Sequence, residues 1–177
     1  MTNFKNIEYL KSGNSRQKSV YSILLELMIF TSLQEYNPIL TGTIPIEIDL
    51  PNSDVDIICE CNDHLSFAKN LKEMFEKHTD FQIWTNTYGG VKATVANFSY
   101  KKERIEIFGQ NIPTDQQNSY QHLLIERKIL EEKGLEFKNQ VIEFKKSGLK
   151  TEPAFAKLLH LEGDPYAALL KYGSIEF

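Results

Sequence analysis

The chain contains 177 residues, of which 41% are hydrophobic and 25% are charged, as is typical of one globular domain with its own core. The formal net charge of −4 excludes a general electrostatic attraction to long nucleic acids and favours small-molecule or protein substrates. No segment is long and apolar enough to cross a membrane, and the N-terminus has no apolar signal core, so we expect a cytoplasmic protein without a membrane partner.

The first half of the chain is predicted to alternate helices with short strands. Its elements are a helix over 15–36, a strand over 38–41, a loop with two prolines over 43–53, a strand over 55–60 and a helix over 63–78. Cys59 and Cys61 stand two residues apart, and no further cysteine is present for a zinc site. We therefore interpret them as half-buried, reduced thiols.

The second half begins with strands and ends with helices. Its elements are strands over 81–86, 91–100 and 104–108, then helices over 115–133, 136–146, from Thr151 onward, and 165–171. This order predicts an α+β fold, in which a short mixed sheet of about five strands has helices on one side. We expect a single domain over 1–177, with a core over 1–112 and a helical C-terminal part over 113–177 that packs on it.

Asp54 and Asp56 flank Val55 at the start of the second strand. Side chains alternate along a strand, so both carboxylates are predicted to lie on one face, a few ångströms apart. Asp is unfavourable in strands, and two like charges this close repel each other unless a cation neutralises them. A hard divalent cation such as Mg²⁺ or Mn²⁺ fits this pair, whereas an acidic solvated face is the structural alternative.

A third acid, Glu106, projects opposite to Ile105 and Ile107 on a later strand. If that strand lies beside the Asp54 strand, the three carboxylates form a cluster able to hold two metal ions. An exposed hairpin acid paired with Arg104 or Lys102 is the alternative.

Gly42 ends the first short strand and is followed by Thr43. A glycine lets the backbone approach a ligand closely, so its amides and the Thr43 hydroxyl are candidates for holding phosphate. Lys92, after the Gly89-Gly90 turn, is a candidate phosphate partner, although a plain β-turn is the simpler interpretation. His122 and Glu126, at helical spacing, could face a cleft, but such a face is more often solvated.

This arrangement resembles the nucleotidyltransferase superfamily, which includes DNA polymerase beta and kanamycin nucleotidyltransferase. Its signature is an apolar residue, Gly, a small residue, about ten further residues, then Asp-apolar-Asp/Glu-apolar, with a third acid on a following strand. The matching segments here are Thr41-Gly42-Thr43, Asp54-Val55-Asp56-Ile57 and the strand that carries Glu106.

More narrowly, the chain resembles a bacterial family of undefined function within that superfamily. The similar segments are Gly42-Thr43-Ile44-Pro45, Ser53-Asp54-Val55-Asp56-Ile57, Ile105-Glu106-Ile107-Phe108-Gly109-Gln110 and Gly163-Asp164-Pro165-Tyr166. The resemblance implies a nucleotidyltransferase-like sheet with a cleft on its open face, under the C-terminal helices.

The resemblance also implies the site residues and the reaction. Asp54, Asp56 and Glu106 would be catalytic and metal-binding, and nucleotide contacts would come from Gly42, Thr43, Ser53 and Lys92. The implied reaction is Mg²⁺-dependent transfer of a nucleoside monophosphate from an NTP to a small-molecule or protein hydroxyl.

Two departures from the family pattern keep other readings open. Thr43 replaces the usual Gly or Ser, and the following loop carries Glu47 and Asp49, which disfavour a triphosphate. One alternative is therefore an inactive nucleotide-binding or protein-interaction module that keeps the fold. The other is a phosphohydrolase that uses the same metals.

Overall fold

A computed structural model of the protein describes residues 2–176. Five strands form one sheet: β1 (Ile39–Thr41), β2 (Val55–Glu60), β3 (Thr79–Tyr88), β4 (Val91–Tyr100) and β5 (Glu103–Gln110). Six α-helices accompany them: α1 (Ser15–Glu26), α2 (Ile29–Ser32), α3 (His64–Phe75), α4 (Asn118–Lys146), α5 (Thr151–Leu158) and α6 (Pro165–Glu176). The α+β class and the five-stranded mixed sheet are therefore confirmed.

The sheet has the strand order β1-β2-β5-β4-β3. Strands β2 and β5 run parallel, and every other neighbouring pair is antiparallel. The parallel pair in the middle requires a long crossover, which α3 and the β3–β4 hairpin provide. The order therefore brings two strands that are distant in sequence side by side at the centre of the sheet.

Both faces of the sheet are covered, so the prediction of helices on one side is wrong. Alternate residues of β2 and β5, among them Ile57 and Ile107, pack into a core with α1 and α3. On the opposite face, Ile58 and Phe108 pack into a second core that α4, α5 and α6 complete. Because both faces are apolar over part of their length, each requires its own helical layer.

The first predicted helix is interrupted. α1 ends at Glu26, and Met28 adopts a left-handed conformation with φ 52° before α2 begins. This turn leaves Met28 exposed while Ile29 and Leu33 are fully buried. A second interruption lies at Gly134, where φ 75° kinks α4 between the two segments that the sequence predicts separately. None of the helices within residues 2–176 is a candidate membrane span.

Candidate active site

The centre of the sheet carries a row of polar side chains on the face below α4. Asp56 of β2 is the direct neighbour of Glu106 on β5 and of Thr41 on β1. Val55 and Ile57, which flank Asp56, are fully buried on the other face, as are Ile105 and Ile107, which flank Glu106. The structure thus confirms that the Glu106 strand lies beside the aspartate strand, about 5 Å away as neighbouring strands do.

Gly42 follows β1 and closes against this row. Its φ of +73° is one that L side chains rarely adopt, and a Cβ built on it would lie 2.2 Å from Oδ2 of Asp56. The backbone at Gly42 therefore runs directly over the Asp56 carboxylate, as a chain does where only glycine fits. This close approach joins the glycine motif and the aspartate motif into one site.

The carboxylates perturb one another. Burial first, and then the charges of Glu106 and Asp54, raise the pKa of Asp56 to about 7. Burial and the charge of Asp54 also raise the pKa of Glu106. Two facing carboxyls that resist joint ionisation are stabilised by a bound cation or by holding a proton between reacting groups.

Asp54 lies just before β2 and is one-third exposed, with Oδ2 3.9 Å from Nε of Arg104. With its amide nitrogen turned toward Glu106, Asn97 donates to the Glu106 carboxylate at 3.2 Å and accepts from Arg104 at 3.1 Å. Arg104 and Asn97 therefore orient the outer side of the cluster, and both lower the pKa of Glu106 against the effect of burial.

A cleft of about 300 Å³ opens above this row, between the sheet and the C-terminal helices. Its polar lining comes from β1 and the turn after it, from β2, from β5, and from the starts of α4 and α5: Thr41, Thr43, Asp56, Glu106, Ser119, His122, Glu126, Thr151 and Glu152. The cleft thus lies under the C-terminal helices, where the superfamily resemblance places it. Gly42 and Thr43 line it directly.

His122 and Glu126 form part of the roof of this cleft rather than a solvated helix face. Nε2 of His122 donates to the carbonyl of Tyr166 at 3.1 Å, and its Nδ1 lies 3.6 Å from a carboxylate oxygen of Glu152. Glu126 is only 4% exposed. Burial and the charge of Glu152 raise the pKa of Glu126 well above its ordinary value.

Lys145 is buried at the end of α4, where it is 8% exposed. Its Nζ donates to the carbonyl of Ile48 at 2.6 Å. Burial lowers the pKa of Lys145, and four nearby carboxylates oppose that effect: Glu126, Asp49, Glu152 and Asp56. Lys145 therefore counters the negative potential around the cleft without lining it.

The acidic loop before Asp54 is neutralised by partners outside the cleft. Glu47 pairs with Lys138 at 2.8 Å, and Asp49 pairs with Arg16 at 3.0 Å. Ser53 also faces this loop, because its hydroxyl accepts from the Leu50 amide at 2.9 Å. Neither loop acid lines the cleft, which removes the objection that they would repel a triphosphate there, and Ser53 shapes the loop instead of contacting the cleft.

Lys92 is not brought to the site. It lies on β4 near Cys61 and His64, and its positive charge lowers the pKa of both groups. Burial opposes this effect at Cys61, whose pKa it raises, and adds to it at His64. His64 contacts Thr94 on the face of β4 opposite to Asn97. The sequence prediction failed because the β3–β4 hairpin directs Lys92 away from the cleft.

The donor set fits a magnesium ion that shares its ligands with a substrate. Within residues 2–176, no three His, Cys, Asp or Glu side chains are gathered closely enough to hold a metal ion by themselves. The predicted cluster of three carboxylates is therefore not formed. Asp56 and Glu106 offer hard oxygen ligands on neighbouring strands, whereas Asp54 lies outside the cleft lining and close to Arg104. Mg²⁺ is commonly held by one or two carboxylates together with phosphate and water oxygens, so these residues suit it.

Residues 22–172 match a family described as a domain of unknown function, DUF4269. The chain belongs to this family. Comparison with the curated proteins finds no match.

Solved structures resemble the fold at low sequence identity. The Cid1 poly(U) polymerase bound to MgGTP matches with a TM-score of 0.53 and 13% identity, over 72% of this chain and 41% of that one. Cid1 bound to Mg 3′-dATP matches with a TM-score of 0.54 and 12% identity, over 92% and 52%.

The polymerase core of TRAMP, an RNA surveillance complex, matches with a TM-score of 0.51 and 14% identity, over 89% and 49%. The chain thus spans about half the length of these polymerases or less, and resembles them in fold.

Proposed function

We propose that this protein is a Mg²⁺-dependent nucleotidyltransferase that transfers a nucleoside monophosphate from an NTP to the hydroxyl of a small molecule or protein. The observation that carries the proposal is the pairing of Asp56 with Glu106 across β2 and β5, directly under Gly42. Carboxylates and a close backbone approach are what phosphoryl chemistry needs: hard oxygen ligands beside a cradle for phosphate.

In the proposed reaction, the acceptor oxygen forms a bond to the α-phosphorus while the bond from that phosphorus to the bridging oxygen of the β-phosphate breaks. Pyrophosphate leaves with the electron pair, and the Glu106 carboxylate accepts the acceptor proton. Burial raises the pKa of Glu106 above its ordinary value, which makes its carboxylate a stronger base for this role.

Each remaining residue has a positioning role. Gly42 and Thr43 line the cleft and hold the phosphates, and Asp56 faces the reacting phosphate. Asp54 lies outside the cleft lining, and its charge acts on Asp56 and Glu106 from the side. Bound magnesium, or manganese, would neutralise charge on the triphosphate between these carboxylates. Burial under α4 and α5 limits access of water, which favours transfer over hydrolysis.

The structural neighbours agree with this proposal in one respect. Two of them are structures of Cid1 with a bound magnesium nucleotide. An NTP is thus a reasonable donor here, whereas the poly(U) activity belongs to those longer proteins. A cytoplasmic location and a bacterial origin of the family stay predictions from the sequence.

The test is calorimetric titration of the four Mg-NTPs into the parent protein, Asp56→Asn and Glu106→Gln. Asp80→Asn, on the exposed start of β3, is the matched control. At least one nucleotide should bind the parent and the control with equal affinity. It should bind both cleft variants about tenfold more weakly, since each variant loses a charged ligand. Equal heats for all four proteins would contradict the assignment of the site.

A parallel assay for released pyrophosphate and labelled acceptor separates the remaining functions. Binding without pyrophosphate release, whatever the acceptor, would identify a nucleotide-binding module. Release of inorganic phosphate without a labelled adduct would identify a phosphohydrolase. Absence of nucleotide binding by the parent protein would favour an interaction module.

A further inference from the structure

Glu126 is a buried carboxyl whose hydrogen-bonding capacity is unused. It is 4% exposed and lines the cleft. Within residues 2–176 it has no hydrogen bond and no ion pair closer than 4.0 Å, and its interactions are the longer-range charges of Glu152 and Lys145. Burying a carboxyl without a partner is costly, so a native protein retains one where a ligand or a proton completes it.

Lys145 does not hydrogen-bond to Glu126. The ammonium of Lys145 is directed to the carbonyl of Ile48 at 2.6 Å, and the side chain does not line the cleft. His122 does not hydrogen-bond to it either. Its Nε2 donates to the carbonyl of Tyr166, and its Nδ1 faces Glu152.

The wall that contains Glu126 is suited to a donor with three hydrogens. Glu126, Glu152 and Thr151, whose side chains all carry hydrogen-bond acceptors, line the same cleft. An ammonium group donates three hydrogen bonds and carries the charge that two neighbouring carboxylates need. A second metal ion fits less well, because no three potential ligands within residues 2–176 are gathered closely enough.

We propose that this wall binds the ammonium group of an amino alcohol, which is the acceptor of the transfer. This rests on the proposed nucleotidyltransferase function and names its substrate class. The amine serves as an anchor and does not react. The hydroxyl of the same molecule reaches the Asp56–Glu106 row, on the floor of the cleft below Glu126.

The size of the cleft agrees with such a molecule. Its volume of about 300 Å³ limits the acceptor to a small molecule, because the reacting phosphates of the NTP occupy part of the same space. Ile58, Leu123 and Phe108 supply apolar lining on which a carbon ring can rest. The excess of acidic over basic groups in the lining disfavours an anionic acceptor.

The test measures direct binding of amines and of matching neutral compounds by calorimetry and thermal shift, with and without a non-hydrolysable MgATP analogue. Glucosamine is compared with the neutral compound glucose, and ethanolamine with the neutral compound ethylene glycol. The proteins are the parent, Glu126→Gln, and Glu131→Gln, which alters an exposed residue of the same helix that pairs with Arg127. Glutamine keeps the shape of Glu126, so the variant should remain folded, which its thermal transition reports.

The proposal expects an amine to bind the parent and Glu131→Gln, and to bind Glu126→Gln about tenfold more weakly or worse. The affinity of the neutral compounds should not differ among the three proteins. The proposal would be overturned by equal amine affinity in all three proteins, by neutral compounds that bind the parent as tightly as the amines do, or by no binding of any amine.

The same samples are assayed for MgATP binding and pyrophosphate release, which separates the two proposals. Lost nucleotide activity with amine selectivity intact counts against the transfer reaction alone. If amines and the matching neutral compounds give equal release of pyrophosphate, that result counts against the amine site alone.

Discussion

Replacing Arg16 with methionine should destabilise the loop that leads into Asp54. The Arg16 guanidinium contacts the carboxylates of Asp49 at 3.0 Å and Glu103 at 2.9 Å. It also donates to the Ser53 carbonyl at 2.6 Å and to the Leu50 carbonyl. One side chain of α1 thus holds the loop before β2 and the start of β5, the two strands whose pairing builds the carboxylate row.

The magnitude follows from burial. The side chains of Arg16, Asp49 and Glu103 are 19%, 14% and 12% exposed, so removal of the guanidinium leaves two largely desolvated carboxylates without their partner. Breaking a buried ion pair in this way costs about 3–5 kcal/mol. For a chain of this length, 3 kcal/mol corresponds to a melting temperature lower by about 6–12 °C.

The assay is urea and thermal unfolding followed by circular dichroism. Arg127→Met is the matched control, because Arg127 makes a single i,i+4 pair with the half-exposed Glu131. The control should lose less than about 0.5 kcal/mol. Adding Asp49→Asn to Arg16→Met should recover part of the loss, since it removes one uncompensated charge. A loss below about 1 kcal/mol for Arg16→Met, or equal losses in both arginine variants, would refute the reasoning.

Three further predictions concern the site and the thiols. Gly42→Ala should cost more than about 2 kcal/mol and weaken MgATP binding, because its Cβ meets Asp56, whereas Gly89→Ala, at a φ of +58° with open space around it, should cost about 1 kcal/mol of backbone strain in urea unfolding; equal costs would contradict the close contact. The folded-state pKa of Asp56, about 7, lies above its unfolded value, so the destabilisation from its ionisation grows as pH rises from about 4 to 7. Asp56→Asn should therefore melt higher than the parent at pH 8 and alike at pH 4, and a parent that is more stable at pH 8 would reverse that assignment. Cys59 and Cys61 are buried with raised pKa values, so a disulfide reagent should modify them only after unfolding, and fast reaction of either thiol in the native protein would be inconsistent with the structure.

Local patterns in the sequence were enough to locate the floor of the site. Alternation of acidic and apolar residues around Asp56 and Glu106 predicts which side chains share a face, because the period of a strand is independent of its neighbours. The same holds for the turn at Gly42, since glycine followed by a small residue after a strand favours a close backbone approach. These residues lie in the structure where their local patterns predict.

The same reasoning gives the wrong result at three positions, because the outcome there depends on contacts between elements that are distant in sequence. The interruption at Met28 is decided by which residues of the segment the core accepts, and not by its helical spacing. The position of Lys92 after the Gly89-Gly90 turn and the family resemblance at Ser53 predict both residues at the cleft, but the hairpin and the Arg16 contact direct them elsewhere. Local propensity carries no information about the face that a neighbouring element will cover.

The strands, the face on which Asp56 and Glu106 project, and the turn at Gly42 can be predicted from the sequence, because each depends on residues only a few positions apart. The pairing of β2 with β5 and the roof of the cleft arise only when the chain folds. Glu126, Lys145 and Glu152 look like ordinary charged helix residues until α4 and α5 fold back over the sheet. Their burial then removes water from the carboxylates, and that desolvation, which no local pattern encodes, gives the cleft its capacity to bind charge.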